Sequence, residues 1–227
     1  MKAGRAVDKP LNLRKKIRTG LETPKEHGLG FKHAHCALAI LSVMLGGCAA
    51  IPGFGPPPVD AYDLSAPALP PSGGRLARTQ ILVPEPAALK LLDGQDIAIR
   101  TSDGALQLLG GARWSDRLPR LVQAGLVEAY ERSGRLGGVG KPGEGLAIDY
   151  QIIVDIRAFE VRVDEGRAHV ELFVRVLDDR TGVVRASRDF VTTVPVAGNG
   201  GDFFVAALDR AFQSAVTEIV GWSVSVL

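Results

Sequence analysis

The stretch that decides the fold lies at residues 148–163 and reads IDYQIIVDIRAFEVRV. Between 148 and 156 every even position is apolar, and most of the positions between them are polar. Such alternation predicts a β-strand with one face buried and the other in water. The apolar residues move to odd positions from Phe159 onward, and a change of phase predicts a bulge near Ala158.

Further alternating segments surround this strand. Residues 168–177 repeat the pattern, a turn at 178–182 reverses the chain, and residues 183–194 return as far as Pro195. Asp103-Gly104 is a hairpin-turn signal, so the apolar runs on its two sides are predicted to pair. The remaining predicted strands are 59–64, 80–83, 96–100 and 105–109. Residues 134–145 are rich in glycine and are predicted to be a loop.

Two segments have the period of an amphipathic helix. In residues 118–132 the apolar side chains recur at spacings of three and four, and Pro119 falls in the first turn, where its missing N–H costs nothing. Ser115 or Asp116 is predicted to cap this helix, and Asp202 to cap a second one that runs to about residue 224. Helices and one-sided strands together predict an α+β fold, a single largely antiparallel sheet with two amphipathic helices packed on one face.

The segment before the domain has the parts of an export signal. A basic stretch and a short apolar core end at Leu45-Gly46-Gly47-Cys48, and a cysteine at that position resembles the lipobox of bacterial lipoproteins. The resemblance implies cleavage after Leu45, Gly46 and Gly47, with lipid attached to Cys48. The predicted divisions are therefore a signal peptide at 1–47, a proline-rich tether at 48–58 and one domain at 59–227. Ala49 follows the cysteine where inner-membrane retention favours aspartate, so the outer membrane, on its periplasmic side, is the predicted location.

The charge of the chain changes at this boundary. Residues 1–47 contain nine Lys or Arg and three Asp or Glu, whereas residues 48–227 contain 18 and 22. Residues 1–47 therefore carry +6 and residues 48–227 carry −4, so the overall charge of +2 is the sum of a basic signal and an acidic remaining chain. A nucleic-acid partner, which requires a basic surface, is not expected.

Candidate chemistry in the domain is sparse. Gly138 to Gly143 matches G-x-G-x-x-G, but a helix precedes it and a strand follows, so phosphate binding is not expected. His33, His35 and Cys36 lie in the signal, which leaves His169 as a solvent-facing strand residue. The carboxylates are scattered. No enzymatic activity, metal or cofactor is therefore expected.

Trp114 and Arg113 are candidate partner-binding residues, because Trp and Arg are favoured in binding hot spots. The alternative for Trp114 is that its ring packs as a cap over the core.

Several of these features occur together in one known family. The lipobox, the proline tether, Tyr62-Asp63-Leu64, and Trp114 followed by Leu118-Pro119 at the helix start resemble the ABC-type transport auxiliary lipoproteins, the PqiC-like proteins. The resemblance implies a non-catalytic docking component of an MCE-type ABC system that transports lipids across the Gram-negative envelope. Its implied partners are an MCE-domain periplasmic protein with its ATPase and permease, the outer membrane, and further copies of itself. A structural or assembly lipoprotein of another envelope machine, such as a secretion channel, and a periplasmic lipid-binding carrier are the alternatives.

Overall fold

The long alternating segment forms the central strand of the sheet. The computed structural model describes residues 58–69 and 74–227, and these form nine strands and two helices. The predicted signal peptide, the lipobox with Cys48, and the tether up to residue 57 lie outside the described residues. The elements are β1 (Asp60–Tyr62), β2 (Leu76–Leu82), β3 (Ala87–Ala88), β4 (Asp96–Arg100), β5 (Leu106–Trp114), α1 (Leu118–Ser133), β6 (Leu136–Gly140), β7 (Tyr150–Arg162), β8 (Arg167–Asp178), β9 (Val184–Pro195) and α2 (Gly201–Val226).

β7 has different neighbours along its two edges. One edge pairs antiparallel with β8 over the whole strand, and β8 pairs antiparallel with β9. The other edge is covered in succession by β2, β3 and β4, all parallel to β7. β4 and β5 form the predicted hairpin, β1 lies parallel to β5, and β6 parallel to β2. The prediction of a largely antiparallel sheet in an α+β fold is confirmed.

The predicted bulge in β7 is also present. The register between β7 and β8 shifts between Ile156 and Ala158. Ile156 before the bulge and Phe159 after it are both buried on the helix side of the sheet. The bulge thus keeps the apolar side chains on one face although their sequence phase changes.

The glycine-rich loop prediction is wrong for residues 136–140, which form β6. A Cβ built on Gly137 would lie 2.3 Å from the Ala77 carbonyl oxygen. Only glycine permits this approach of two backbones, and glycines carry no apolar period that a sequence pattern would reveal.

Both helices pack on the same face of the sheet. The Phe159 ring lies 5.8 Å from the Trp114 ring and 6.2 Å from Phe212 of α2, measured between centroids. Gly125 of α1 faces Phe212 so closely that an added Cβ would be 2.7 Å from the ring. A buried hydrogen bond of 2.7 Å joins the hydroxyls of Tyr130 and Ser223 and ties the two helices together.

The helix caps differ from the prediction. α1 begins after Arg117, which makes no side-chain cap, and the Leu118 N–H instead donates to the Gly94 carbonyl at 2.9 Å. Neither Ser115 nor Asp116 is the N-cap, because both precede Arg117, and the Asp116 carboxylate accepts from the Arg117 N–H at 2.7 Å. α2 begins after Gly200, so Asp202 lies inside the first turn, where its carboxylate is favoured by the helix dipole.

The Tyr62-Asp63-Leu64 stretch fastens the start of the domain to α2. The Tyr62 hydroxyl donates to Asp202, and Leu64 is buried in the core. The next residue, Ser65, donates its N–H to Asp209 of α2 at 2.7 Å. The structural role of this stretch is therefore to attach the start of the domain to α2 and to the core. Of the helices that the structure describes, neither is long and apolar enough to span a bilayer.

Candidate docking surface

The sheet face opposite the helices carries the candidate site. We call it the open face. The strand register places its side chains in rows, because directly paired residues point to the same side. The rows used below are Asp155–Phe173–Asp189, Glu160–His169–Thr193 and Arg100–Arg162–Arg167.

An aromatic ring with two guanidinium groups near it lies on the open face, at Phe173. The Arg157 guanidinium carbon lies 4.2 Å from the Phe173 ring centroid, and that of Arg175 lies 5.8 Å from it. Arg157 is ion-paired with Asp189, and Arg175 with Asp155 at 3.0 Å. The ring is half-buried, so its accessible part and the two arginines present a fixed aromatic and cationic surface. Aromatic and arginine side chains in this arrangement are typical of binding hot spots.

A shallow cleft adjoins these residues. It has a volume of about 380 Å³ and opens where β3 meets β7. Leu89 lies at the edge of the cleft, and 71% of this residue is exposed. An exposed leucine beside a mostly apolar cleft is suited to receive an aliphatic side chain of a partner. The lining residues are Ala87, Ala88, Leu89, Asp155, Ile156 and Arg157.

A buried carboxylate organises the next part of the open face. Glu160 is only 2% exposed and accepts two hydrogen bonds from Arg100, at 2.6 and 2.9 Å. Arg162 donates to the same carboxylate at 3.3 Å. The hydrogen bonds and charge of Glu160 raise the pKa of Arg100, which therefore stays ionised. Arg162 is also paired with Glu165 at 3.4 Å, so two carboxylates together balance two arginines that would otherwise repel each other across β4 and β7.

His169 is not solvent-facing, and that prediction is wrong. The alternation placed it on the correct face, but the residue is only 6% exposed because neighbouring long side chains surround it. Its two ring nitrogens have no hydrogen-bond partner within the described part of the chain, and the Glu171 carboxylate lies 3.8 Å from Nε2. Burial, reinforced by the charge of Arg162, lowers the pKa of His169. The imidazole is therefore neutral at neutral pH.

The structure separates the two candidate partner-binding residues. Trp114 is 1% exposed and packs in the core against Phe159, so its ring offers no surface to a partner. Arg113 is exposed on the opposite side of β5, across from Asp96. The predicted lipid-attachment and cleavage residues, Cys48 and Leu45 to Gly47, lie outside the described residues.

The remaining motifs do not assemble a reactive site. Gly138 and Gly140 of the G-x-G-x-x-G match lie in β6, which leads into a loop and then β7 rather than into a helix. Within residues 58–69 and 74–227, no three His, Cys, Asp or Glu side chains are grouped so that they could hold a metal ion.

Sequence reasoning missed Phe173 and Leu89. Phe173 was detectable, because it is an aromatic residue at a position whose neighbours in the alternation, Glu171 and Arg175, are charged. Leu89 carried no such signal, since the two-residue strand β3 is too short to show a period.

Comparison with known proteins identifies relatives of this chain. The family model of the ABC-type transport auxiliary lipoprotein component matches residues 62–220. The uncharacterized protein bll6063 of Bradyrhizobium diazoefficiens is 30% identical over 189 residues, which cover 81% of this chain and 50% of the relative. The chain thus spans about half the length of the curated relative that it matches.

Solved structures share the fold. Protein XCC0632 from Xanthomonas campestris, of family DUF330, superposes with a TM-score of 0.68 at 27% identity, over 74% of this chain and 96% of that one. A second crystal structure, of an uncharacterized protein, superposes with a TM-score of 0.57 at 20% identity, over 71% of this chain and 99% of that one.

Proposed function

The chain belongs to the family of ABC-type transport auxiliary lipoproteins, and we propose that it is the non-catalytic docking component of an MCE-type system for lipids. In this proposal Cys48 is acylated and anchors the domain in the outer membrane, facing the periplasm. The domain then binds an MCE-domain protein that is connected to an ATPase and a permease in the inner membrane. Copies of the chain assemble with one another on that partner.

The observation that carries the docking role is the one-sided packing of the sheet. Both helices cover one face, while the open face presents Phe173 with the guanidinium groups of Arg157 and Arg175 near its ring. The adjoining cleft and Leu89 add an apolar contact to the same area. A fixed aromatic ring with an apolar cleft beside it has the chemistry of a protein-binding surface rather than of a reaction centre.

The lipid-carrier alternative requires an apolar cavity. The layer between sheet and helices is filled at its centre by the rings of Trp114, Phe159 and Phe212, each at most 1% exposed. The cleft lies instead at the junction of β3 and β7. We therefore favour docking over carriage.

The experiment is crosslinking and co-purification from intact envelopes. The Phe173→Ala and Leu89→Ser double variant is compared with wild type, and Phe203→Ala, an exposed aromatic at the start of α2, is the matched control. We expect wild type and control to capture an MCE-domain protein and the double variant to lose it. Capture of a secretion channel without any MCE-domain protein contradicts the proposal in favour of the assembly alternative.

The anchor is tested separately. Cys48→Ala is expected to leave the domain folded, because the buried core residues of the described chain all lie between Leu64 and Val224. We expect this variant in the soluble periplasmic fraction, since a single anchoring residue is removed. A Cys48→Ala protein that still sediments with the outer membrane refutes the anchor.

A further inference from the structure

Strand β9 is a long edge of the sheet. It has 12 residues and pairs only with β8 among the described elements. Every second residue of an edge strand directs its N–H and C=O away from the sheet. On this outer side the structure shows one contact, from Arg210 to the Pro195 carbonyl at 3.4 Å, at the end of the strand. Within residues 58–69 and 74–227 the rest of the outer backbone row has no hydrogen-bond partner, so it can pair with another strand.

The edge also carries charge that is not neutralised. Within the described chain no carboxylate oxygen lies within 4.0 Å of the guanidinium nitrogens of Arg185, Arg188 or Arg210, although many other arginines form such pairs. Arg185 donates to the Tyr150 hydroxyl at 2.7 Å and lies over its ring, and Arg188 lies 5.0 Å from the Phe190 ring centroid. Aromatic contacts hold these side chains in place without cancelling their charge.

Apolar side chains complete the edge. Val191 is 53% exposed on the open face, and Val184 is 47% exposed near the beginning of the strand. Soluble proteins usually protect a long edge with charged side chains, prolines, bulges or a covering element. β9 has its charged residues and its bulge in the first half and Pro195 at its end, whereas residues 190–194 between them carry no charge.

We infer that the β9 edge binds an extended acidic segment of a partner protein, which adds to the sheet as a further strand. The open backbone row supplies the ladder hydrogen bonds, the valines supply alternate apolar contacts, and the arginines select carboxylates. The inference rests on the docking role proposed above and specifies the chemistry of one partner segment.

Charge argues for an acidic partner rather than a second copy of this chain. The one carboxylate of β9, Asp189, is already ion-paired with Arg157. Pairing β9 with itself therefore brings Arg185 and Arg188 of both copies to one shared edge without a free carboxylate of that strand to neutralise them. Like charges that face each other across a strand pair are destabilising. An acidic strand instead turns each of these arginines into an ion pair.

The test uses the chain from Cys48 onward with Cys48→Ser and a short fluorescent peptide of alternating valine and glutamate. Fluorescence anisotropy measures its affinity against two comparison peptides, one with lysine for glutamate and one with N-methylated alternate residues. We expect the acidic peptide to bind about tenfold more tightly than the basic one, because each exposed ion pair contributes modestly. N-methylation is expected to abolish binding, since it removes the ladder donors. Backbone amides of residues 187–193 are expected to exchange more slowly in the complex.

Variants of the chain separate charge from fold. Arg185→Gln with Arg188→Gln is expected to weaken binding about tenfold, whereas Arg120→Gln with Arg132→Gln on α1 keeps the wild-type affinity. Arg188→Glu should shift the preference towards the lysine peptide, a gain that a misfolded protein does not show. Unfolding temperatures of all variants are compared with wild type.

Three results overturn the inference. These are equal binding of the N-methylated peptide, no preference between acidic and basic peptides, and a wild-type dimer in solution that the Arg185 and Arg188 double variant abolishes. The envelope experiment distinguishes this failure from failure of the docking role. If the Arg185 and Arg188 double variant still captures the MCE-domain protein while the Phe173 variant does not, docking stands and the edge inference fails.

Discussion

Acidification is expected to destabilise the domain through one imidazole. His169 is the single histidine after Cys48, so between about pH 5 and pH 7.5 it is the one side chain of residues 48–227 that ordinarily changes charge. Burial first, and then the charge of Arg162, lowers its pKa, whereas Glu160 and Glu171 oppose this shift. No hydrogen bond to either ring nitrogen in the described chain stabilises the charged form.

The sign of the effect follows from proton binding. The unfolded chain takes up this proton at about pH 6.5, and the folded chain takes it up only at lower pH. Below that value the unfolded state holds more protons, so the free energy of unfolding falls as pH falls. One proton limits the slope to about 1.4 kcal/mol per pH unit, and therefore the loss between pH 6.5 and pH 5 to about 2 kcal/mol.

His169→Leu should remove this dependence. The substitution also removes two buried nitrogens without partners, whose desolvation costs about 1–3 kcal/mol each, so the variant is expected to be at least as stable as wild type at neutral pH. Urea unfolding at a series of pH values measures both effects. Thr193→Val, at the position paired with His169, is the control and keeps the wild-type slope.

Two results would refute this reasoning about His169. One is a wild-type free energy of unfolding that does not change between about pH 7.5 and pH 5. The other is a His169→Leu variant that retains the wild-type slope, which would assign the dependence to the carboxylates.

Three other substitutions test the packing and the N-terminal fastening. Gly125→Val should cost about 1–3 kcal/mol, because a Cβ there lies 2.7 Å from the Phe212 ring, and Phe212→Leu in the same chain should recover part of the loss in urea unfolding. Additive losses would contradict this contact. Asp202→Asn should lower the pKa of Tyr62, which the Asp202 hydrogen bond raises to about 12, as measured by ultraviolet titration. The wild-type contact stabilises below about pH 10 and is lost between pH 10 and 12, so an unchanged titration argues against it. Trp114→Ala should cost about 3–5 kcal/mol by leaving a cavity, and a loss below about 1 kcal/mol would place the ring outside the core.

The elements predicted from the sequence are those with a side-chain period. β7 and β8 alternate over more than ten residues, and even the bulge between Ile156 and Ala158 was visible as a change of phase. β6 was missed because three of its five residues are glycine, which carries no period. For His169 the period predicted the face correctly and the exposure wrongly, since burial there depends on Glu160, Glu171 and Arg162 from neighbouring positions.

The candidate site was less accessible to prediction than the fold. Phe173 could be singled out in the sequence as an aromatic residue among charged neighbours, but only the fold brings Arg157 of the adjacent strand β7 to its ring. Trp114 was singled out by its residue type, yet its environment is the core. Residue type suggests what a side chain can bind, whereas the fold decides whether it can be reached.

The sequence by itself determined the strand alternation, the two amphipathic helices, the acidic charge after residue 47 and the family resemblance. Only the tertiary structure decided that three short strands share one edge of β7, that a cleft opens beside Leu89, and that β9 is left as an arginine-bearing edge. The physical reason is the distance along the chain over which each kind of information acts. A periodic pattern reports which side of a segment is buried, whereas pairing between distant segments depends on how the complete core packs.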